Sequence, residues 1–312
     1  MENVPFVFME RVVSLLPHPT EIHKLFTSVG GLWETAAADL EANYHSVEVY
    51  ISTSTNSMSV TKAPRWPLKM GPFEEPNQYT LGLSINVCDD WRDRCICNVK
   101  PEPISEKRLK QVARLPSTGN YGTFLVCDIQ RPENENFDFG GFLRNIQAPF
   151  EAVHMWRCFG YSEDLEGFLQ NLIPKRTCRS FSFYHVNLTS TCLDLLLDAW
   201  DMWSPYDKNQ PGEILINDCS QKLTNAHISR VLHGWCEGRG GCVIDIDPLD
   251  FQDINEFCKT FEIEEPQWKL KKINSNVESN YRYFITHRKT GTTIMVGSGS
   301  AHYLHLKLKI AA

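Results

Sequence analysis

The sequence predicts an α/β protein in which β-strand and α-helix units repeat along the middle of the chain. Five segments share one pattern: an apolar residue, any residue, a second apolar residue, two further positions, and a Cys or aliphatic residue. Their first positions, spaced 29, 28, 33 and 30 residues apart, are Phe124, Val153, Phe181, Ile214 and Ile244. Each segment is followed by apolar residues at helical spacing, so strand and helix alternate.

The near-constant period predicts how these units are arranged. Strands that alternate with helices pair in parallel, and a period of about 30 residues favours a solenoid in which each unit buries its apolar face against its neighbours. We therefore predict a leucine-rich-repeat-like βα solenoid over residues 122–262. The constant residue at the fifth position after the first is expected to fill the inner corner where the chain leaves the strand. A non-repetitive α/β sheet is the alternative.

A short N-terminal helical segment is predicted over residues 1–45. Phe8, Val12 and Leu16 fall on one helical face, and Pro17 ends that helix. A second short helix carries Leu25, and a third runs from about residue 32 to residue 44. Three short helices are also an ordinary beginning for a globular domain.

Residues 46–121 change character and predict strands joined by an irregular connection. Apolar residues alternate at 47–51 and again at 81–87, as in half-buried strands. Between them, residues 52–79 are rich in Ser, Thr and Pro, so an irregular excursion is expected there. One short helix is predicted near residues 105–114.

The C-terminal residues 263–312 predict antiparallel strands. Apolar residues alternate again from Trp268, and two strand-like runs meet at Lys289-Thr290-Gly291, where Gly tolerates a positive φ. We expect an antiparallel β cap that closes the last edge of the solenoid, because a bare edge invites association.

Composition points to an ordinary globular chain. The 312 residues are 42% hydrophobic with a net charge of −7, which does not favour a dominant nucleic-acid surface. No apolar run approaches the roughly 18–20 residues of a membrane helix, and Glu2 stands where a signal peptide needs positive charge.

The cysteines predict a reducing compartment, either cytoplasm or nucleus. There are 11, an odd number, and they are scattered along the chain instead of forming a dense disulfide framework. Several lie in apolar runs, where a thiol behaves as a small buried hydrophobe. These are Cys127, Cys158, Cys192, Cys219 and Cys242.

Two clusters of side chains are candidate chemical sites. Cys88, Cys95 and Cys97 have irregular spacing and no fourth ligand nearby, so the sequence predicts no zinc site and no other metal or cofactor. Asp245 and Asp247 lie on one strand face, where a solvated surface is the ordinary interpretation and a partner contact the functional one. We predict that these two aspartates contact a protein partner.

Sequence motifs for catalysis do not emerge. Gly238, Gly240 and Gly241 follow a predicted helix instead of opening one, so they indicate a helix C-cap and not a phosphate loop. No nucleophile, base and acid stand at recognisable spacing. We expect a protein that is not an enzyme, with an unrecognised hydrolase or transferase as the alternative.

The N-terminal pattern resembles a divergent F-box. A leading Pro5, an aliphatic helix, a Leu-rich second helix and a closing Trp33 follow one another in that order. The opening VPFVFMERVVSLL and the ending YRYFITHRKTGTTIMVGSG are similar to those of nematode F-box-like and F-box-associated families. F-boxes dock on the Skp adaptor of cullin-RING ubiquitin ligases.

The resemblance implies a function and a set of contacts. The chain would be a substrate receptor of an SCF-type ubiquitin ligase, holding a protein target on its solenoid while the ligase complex does the chemistry. A solenoid binding protein with no ligase connection is the alternative. The adaptor-binding residues implied by the resemblance are Pro5, Phe8, Val12, Leu16, Leu25 and Trp33.

Overall fold

A computed structural model gives the structure of the protein. It describes residues 31–36, 45–64, 71–72, 80–89, 100–113, 121–130, 137–204, 212–241, 243–246, 268–274, 281–287, 293–298 and 304–309. The chain forms two compact units, Met1–Ala152 and Val153–Ala312. Both units combine helices with strands, and each contains parallel strand pairs, so the predicted α/β class is confirmed.

The first unit holds a sheet with the strand order β6-β4-β1-β2-β3, and β5 pairs with β2. Strands β1, β4 and β6 run parallel, whereas β2 is antiparallel to β1. The strands are β1 (His45–Ser52), β2 (Ser57–Pro64), β3 (Gly71–Pro72), β4 (Thr80–Cys88), β5 (Glu102–Pro103) and β6 (Tyr121–Gln130). The helices are α1 (Glu106–Ala113) and α2 (Phe139–Asn145), and residues 32–36 are also helical.

Strands β1 and β4 and helix α1 confirm the predictions for residues 47–51, 81–87 and 105–114. The irregular excursion predicted for residues 52–79 is wrong in part, since β2 and β3 lie within it. Val60 of β2 pairs with Val49 of β1, and Met58 and Val60 are buried. Ser57, Ser59 and Thr61 alternate with these two residues, which made the segment resemble a loop, and pairing with β1 satisfies its backbone.

The second unit contains a sheet with the strand order β7-β8-β9-β10-β14-β13-β12-β11. Strands β8, β9 and β10 pair in parallel. The pairs β10–β14, β14–β13, β13–β12 and β12–β11 are antiparallel. The strands are β7 (Ala152–Phe159), β8 (Ser180–Val186), β9 (Glu213–Asn217), β10 (Val243–Ile246), β11 (Trp268–Asn274), β12 (Tyr281–His287), β13 (Thr293–Ser298) and β14 (Leu304–Lys309). The helices are α3 (Ser162–Leu172), α4 (Ser190–Asp201) and α5 (Asn225–Cys236), with a 3-10 turn at Ile173–Lys175.

Equivalent positions of the sequence pattern align across neighbouring strands of the second unit. Phe181 pairs with Ile214, which in turn pairs with Ile244, so the first pattern positions of β8, β9 and β10 form one row. All three side chains are fully buried. The predicted strands near residues 153, 181, 214 and 244 are therefore extended and lie next to one another.

The fourth position after the first carries an unusual backbone conformation at the ends of β7, β8 and β9. Arg157, His185 and Asp218 have φ values of 51°, 52° and 52°, in the left-handed region. The turn breaks the two-residue alternation and returns the next side chain to the buried face, as Cys158 and Cys219 demonstrate. This explains why the pattern places its third apolar residue at the fifth position and not the fourth. Asp128 of the first unit has the same conformation, with φ 53°.

Local capping defines the helix ends. Thr189 is the N-cap residue of α4, and its side-chain oxygen accepts a hydrogen bond from the Cys192 backbone N–H at 3.0 Å. After α5, Gly238 has φ 79° and the Arg239 N–H donates to the Gly234 carbonyl. These features confirm the helix C-cap that the glycine pattern predicted.

The buried thiols agree with the sequence prediction. Cys127, Cys158, Cys192 and Cys219 are buried, whereas Cys242 lies outside the described residues. Burial raises the pKa of the Cys158 thiol to about 12 and that of Cys219 to about 11. Every helix in the described ranges is too short or too polar to cross a membrane.

Candidate interaction surface

The predicted adaptor-binding set falls mostly outside the described ranges. The residues concerned are Pro5, Phe8, Val12, Leu16 and Leu25. Trp33 is described and lies half-buried in the helical stretch 32–36. Its neighbour Leu32 is exposed. The adaptor contacts therefore stay predictions.

The predicted partner-binding aspartates are described in part. Asp245 is half-buried on β10 and lies on the opposite face from the buried Ile244. In register, it stands opposite Leu215 on β9 and Lys307 on β14. Asp247 lies outside the described residues. The predicted alternation of Asp245 with Ile244 is thus confirmed, and its contact with a partner stays a prediction.

Only one of the three cysteines of the candidate zinc site lies in the described residues. Cys88 is buried at the end of β4, while Cys95 and Cys97 lie outside the described residues. Within the described ranges, no group of three or more His, Cys, Asp or Glu side chains is placed to hold a metal ion.

The strands of the second unit have two different faces. Toward the helices, the strand side chains are buried together with apolar residues of α3 and α4 such as Phe168 and Trp200. Alternate residues point the other way, and on β7, β8 and β9 they are half-buried or exposed. We call this second face the open face.

One end of the open face carries an exposed aromatic pair. The side chain of Trp156 on β7 is 51% exposed. Its ring meets Tyr184 on β8 edge to face, with 5.5 Å between ring centroids and an interplanar angle of 84°. Trp and Tyr are enriched where proteins bind one another, so this pair is a candidate contact surface.

Charged side chains border this pair at the left-handed positions. The Arg157 guanidinium carbon lies 5.9 Å from the centroid of the Trp156 ring. The His185 ring packs against Tyr184 at 4.3 Å, and its Nε2 lies 3.7 Å from Asp218 Oδ2. These five residues form a continuous group across the carboxyl ends of β7, β8 and β9, which we call the rim cluster.

Comparison with known protein families, curated proteins and solved structures finds no match. The functional assignment of the rim cluster therefore depends on its own geometry.

Away from the rim, the open face is polar with mixed charge. His154 on β7 is half-buried, and burial lowers the pKa of its imidazole while the Glu213 carboxylate partly opposes that change. The ring is therefore neutral near pH 7. Asn217 lies beside Tyr184 in register. This composition suits hydrogen bonding to a partner more than attraction of one sign of charge.

The thiols that follow Arg157 and Asp218 in the chain are not activated for nucleophilic attack. The raised pKa values of Cys158 and Cys219 keep both thiols protonated at neutral pH, and a protonated thiol is a poor nucleophile. A cavity of about 330 Å³ in the first unit lies between α1 and α2, and its walls include Phe142 and an ion pair of Glu106 with Lys110. An exposed ion pair of this kind does not activate either group for catalysis.

Trp156 and Tyr184 are not among the site residues that the sequence predicts. Both occupy the third position after the first pattern residue, which the repeat pattern left open to any residue. The signal was present, since an aromatic residue stands there in two consecutive units. Aligning the units on their buried positions and inspecting the positions between them would have found the pair.

Proposed function

We propose that this chain is a protein–protein interaction module that serves as the substrate receptor of a cullin-RING (SCF-type) ubiquitin ligase. The observation that carries the proposal is the exposed Trp156 packed against Tyr184 on a sheet face that the helices leave open. Trp, Tyr and Arg supply most binding hot spots, and the rim cluster contains all three. The protein target binds there.

In this proposal residues 122–262 form a leucine-rich-repeat-like solenoid. The aligned rows of β8, β9 and β10 and the left-handed residue that recurs at the ends of β7, β8 and β9 support it. Strands β11 to β14 form the antiparallel cap, since β14 covers the edge of β10 that a further unit would otherwise use.

The N-terminal helical segment supplies the connection to the ligase. Its resemblance to a divergent F-box supports docking on a Skp-type adaptor, which brings the target to the ubiquitin-transfer machinery. The chain itself performs no catalysis in this scheme. The free buried thiols support a reducing compartment, the cytoplasm or the nucleus.

A solenoid scaffold or binding protein without a ligase connection is the second candidate. The rim cluster supports it equally, since target binding needs no adaptor. The two candidates differ only in what residues 1–45 bind.

An adaptor-binding assay separates them. The purified full chain is mixed with a purified Skp-type adaptor and analysed by size-exclusion chromatography with light scattering. The receptor proposal predicts a complex that the double substitution Leu16→Asp plus Leu25→Asp abolishes. Met202→Asp places the same charge on an exposed apolar residue at the end of α4 and serves as the matched control.

Folding must be checked for each variant by circular dichroism and thermal melting. The absence of a complex with the unaltered chain, or a complex that survives in a folded double variant, contradicts the ligase connection. In that case the scaffold without a ligase is the remaining function.

A further inference from the structure

A cavity in the second unit indicates a binding site that is separate from the rim cluster and does not depend on the proposed receptor role. We propose that this cavity binds a small aromatic anion, a single ring that carries a carboxylate or phosphate group. Three properties of the described residues support this ligand: the size of the cavity, its aromatic inner wall, and the guanidinium groups at its mouth.

The cavity lies between the 3-10 turn at Ile173–Lys175, the beginning of β8 and the C-terminal end of α4, and its volume is about 220 Å³. It extends from the surface into the core, since its lining includes Met202, which is 39% exposed, and Phe181, which is fully buried. An apolar cavity of about 150 Å³ is large enough to hold benzene. This cavity therefore has room for one aromatic ring and a short polar group.

The inner part of the cavity is apolar and aromatic. Phe181 and Trp203 both line it, and their rings stack with centroids 6.1 Å apart and an interplanar angle of 20°. Both side chains are buried, as is Ala199 beside them in the lining. A ligand ring at this wall would be removed from water and would meet aromatic faces, with which rings pair at centroid distances of about 4.5–7 Å. The inner wall therefore favours an aromatic ligand over a purely polar ion.

The mouth of the cavity carries positive charge. Arg176 and Arg179 belong to the lining, and no Asp or Glu side chain is among the described residues that form it. Arg176 is exposed and forms no ion pair with another described residue. Guanidinium groups bind carboxylate and phosphate oxygens through charge-assisted hydrogen bonds that are often bidentate. An anionic group on the ligand is therefore expected at the mouth.

The C-terminal end of α4 opposes this attraction only in part. Ala199 and Met202 lie at that end, where a helix carries the equivalent of about half a negative charge. The carbonyl oxygens of Ala199 and Trp200 already accept hydrogen bonds from the N–H groups of Met202 and Trp203. The guanidinium of Arg176 alone carries a full positive charge, so the mouth still attracts an anion.

Isothermal titration calorimetry on the full chain tests the inference with four probes. Phenylacetate and phenyl phosphate have both the ring and the anionic group, phenylacetamide keeps the ring without the charge, and acetate keeps the charge without the ring. We expect saturable binding of at least one aromatic anion, about tenfold tighter than that of phenylacetamide or acetate, which is the effect of one charge-assisted contact. The affinities of the two aromatic anions show whether the natural ligand carries a carboxylate or a phosphate.

Two variants address the two ends of the cavity. Arg176→Gln removes the charge at the mouth and should weaken binding of the tighter aromatic anion about tenfold. Ala199→Leu fills the inner part and should abolish saturable binding. Arg144→Gln, the matched control, removes an exposed guanidinium on α2 and should leave binding unchanged. Thermal melting shows whether each variant is folded, and Arg176→Gln decides alone if Ala199→Leu is not.

The inference is overturned if neither aromatic anion shows saturable binding, or if phenylacetamide or acetate binds as tightly as the better of the two. It is also overturned if folded Arg176→Gln or folded Ala199→Leu binds that anion as well as the unaltered chain does. The adaptor complex is a separate readout on residues 1–45, so failure of either proposal can be recognised independently of the other.

Discussion

The two faces of the strands in the second unit differ although they are built from alternate residues of the same segments. Phe181, Phe183, Ile214 and Ile216 are buried against the helices. The residues between them, such as Ser182 and Tyr184, face the other way and are half-buried. Stability therefore comes mainly from one face, and the other face can carry binding residues with little effect on folding.

The residues with a left-handed backbone conformation at the ends of β7, β8 and β9 connect the two faces of the sheet. Because His185 and Asp218 interrupt the alternation, Val186 and Cys219 return to the buried side while the two polar side chains remain at the rim. A non-glycine residue in this conformation costs about 1–2 kcal/mol. Burial of the next apolar side chain, about 1.5–3 kcal/mol for a residue of the size of Val, offsets that cost.

Substitution of adjacent residues on opposite faces should separate their roles most strongly. Phe183→Ala creates a cavity in the core and should lower the free energy of unfolding by about 3–5 kcal/mol, whereas Tyr184→Ala should cost less than about 1 kcal/mol. Urea denaturation of both variants measures the difference. Equal losses would mean that the two faces are not distinct.

The buried thiols make the core sensitive to high pH. The pKa of Cys158 is raised by burial to about 12 in the folded protein, so its contribution to stability is complete below the thiol pKa of the unfolded chain. As the pH rises from about 9 toward 12, the unfolded state loses the proton first, and the free energy of unfolding falls by about 1.4 kcal/mol per pH unit for each such thiol.

Urea denaturation between pH 8 and pH 11 measures this slope. Cys158→Ala is the control, and its slope should be smaller by the contribution of one thiol. An identical slope in the two proteins would show that Cys158 ionises as easily when folded as when unfolded.

Ion pairs on the outer surface of the helices should contribute an intermediate amount to the free energy of unfolding. Arg230 of α5 pairs with Asp198 and Asp201 of α4 at 2.6 and 2.7 Å. Both partners are within reach of one partly exposed guanidinium, so Arg230→Met should cost about 1 kcal/mol of stability. Raising the salt concentration should reduce the difference between the two proteins, and a difference that does not depend on salt would indicate packing instead of ion pairing.

The smallest effect on stability is expected at the rim. Trp156→Ala should change the free energy of unfolding by less than about 0.5 kcal/mol, because the side chain is half exposed and lines no core. Differential scanning fluorimetry beside Phe183→Ala measures it. A loss comparable to that of Phe183→Ala would assign Trp156 to the core.

The buried face could be predicted from the sequence because burial imposes a pattern. Apolar residues at Phe181, Phe183 and Val186 recur in equivalent form one unit later, and helix spacing follows each strand, so the α/β class and the parallel pairing follow from hydrophobic periodicity. The helix C-cap at Gly238 could also be predicted, because few residues other than glycine tolerate the positive φ that is needed there.

The candidate site could not be predicted in the same way. Trp156 and Tyr184 are not constrained by burial, so nothing in the periodicity distinguishes them from ordinary solvent-facing residues. Their proximity depends on the register of β7 with β8, and register is a property of the folded sheet. Strand β2 was missed for a related reason, since Ser and Thr at its alternate positions resemble a loop until pairing with β1 is known.

Hydroxyl-radical footprinting with mass spectrometry tests the two-face account most directly, because it compares residues of one chemical type in the unaltered protein. Trp156 lies on the open face and Trp200 is fully buried on the helix side. We expect Trp156 to be oxidised much faster than Trp200 in the folded protein and at a similar rate after denaturation. Equal protection of the two indole rings in the folded protein would contradict the account.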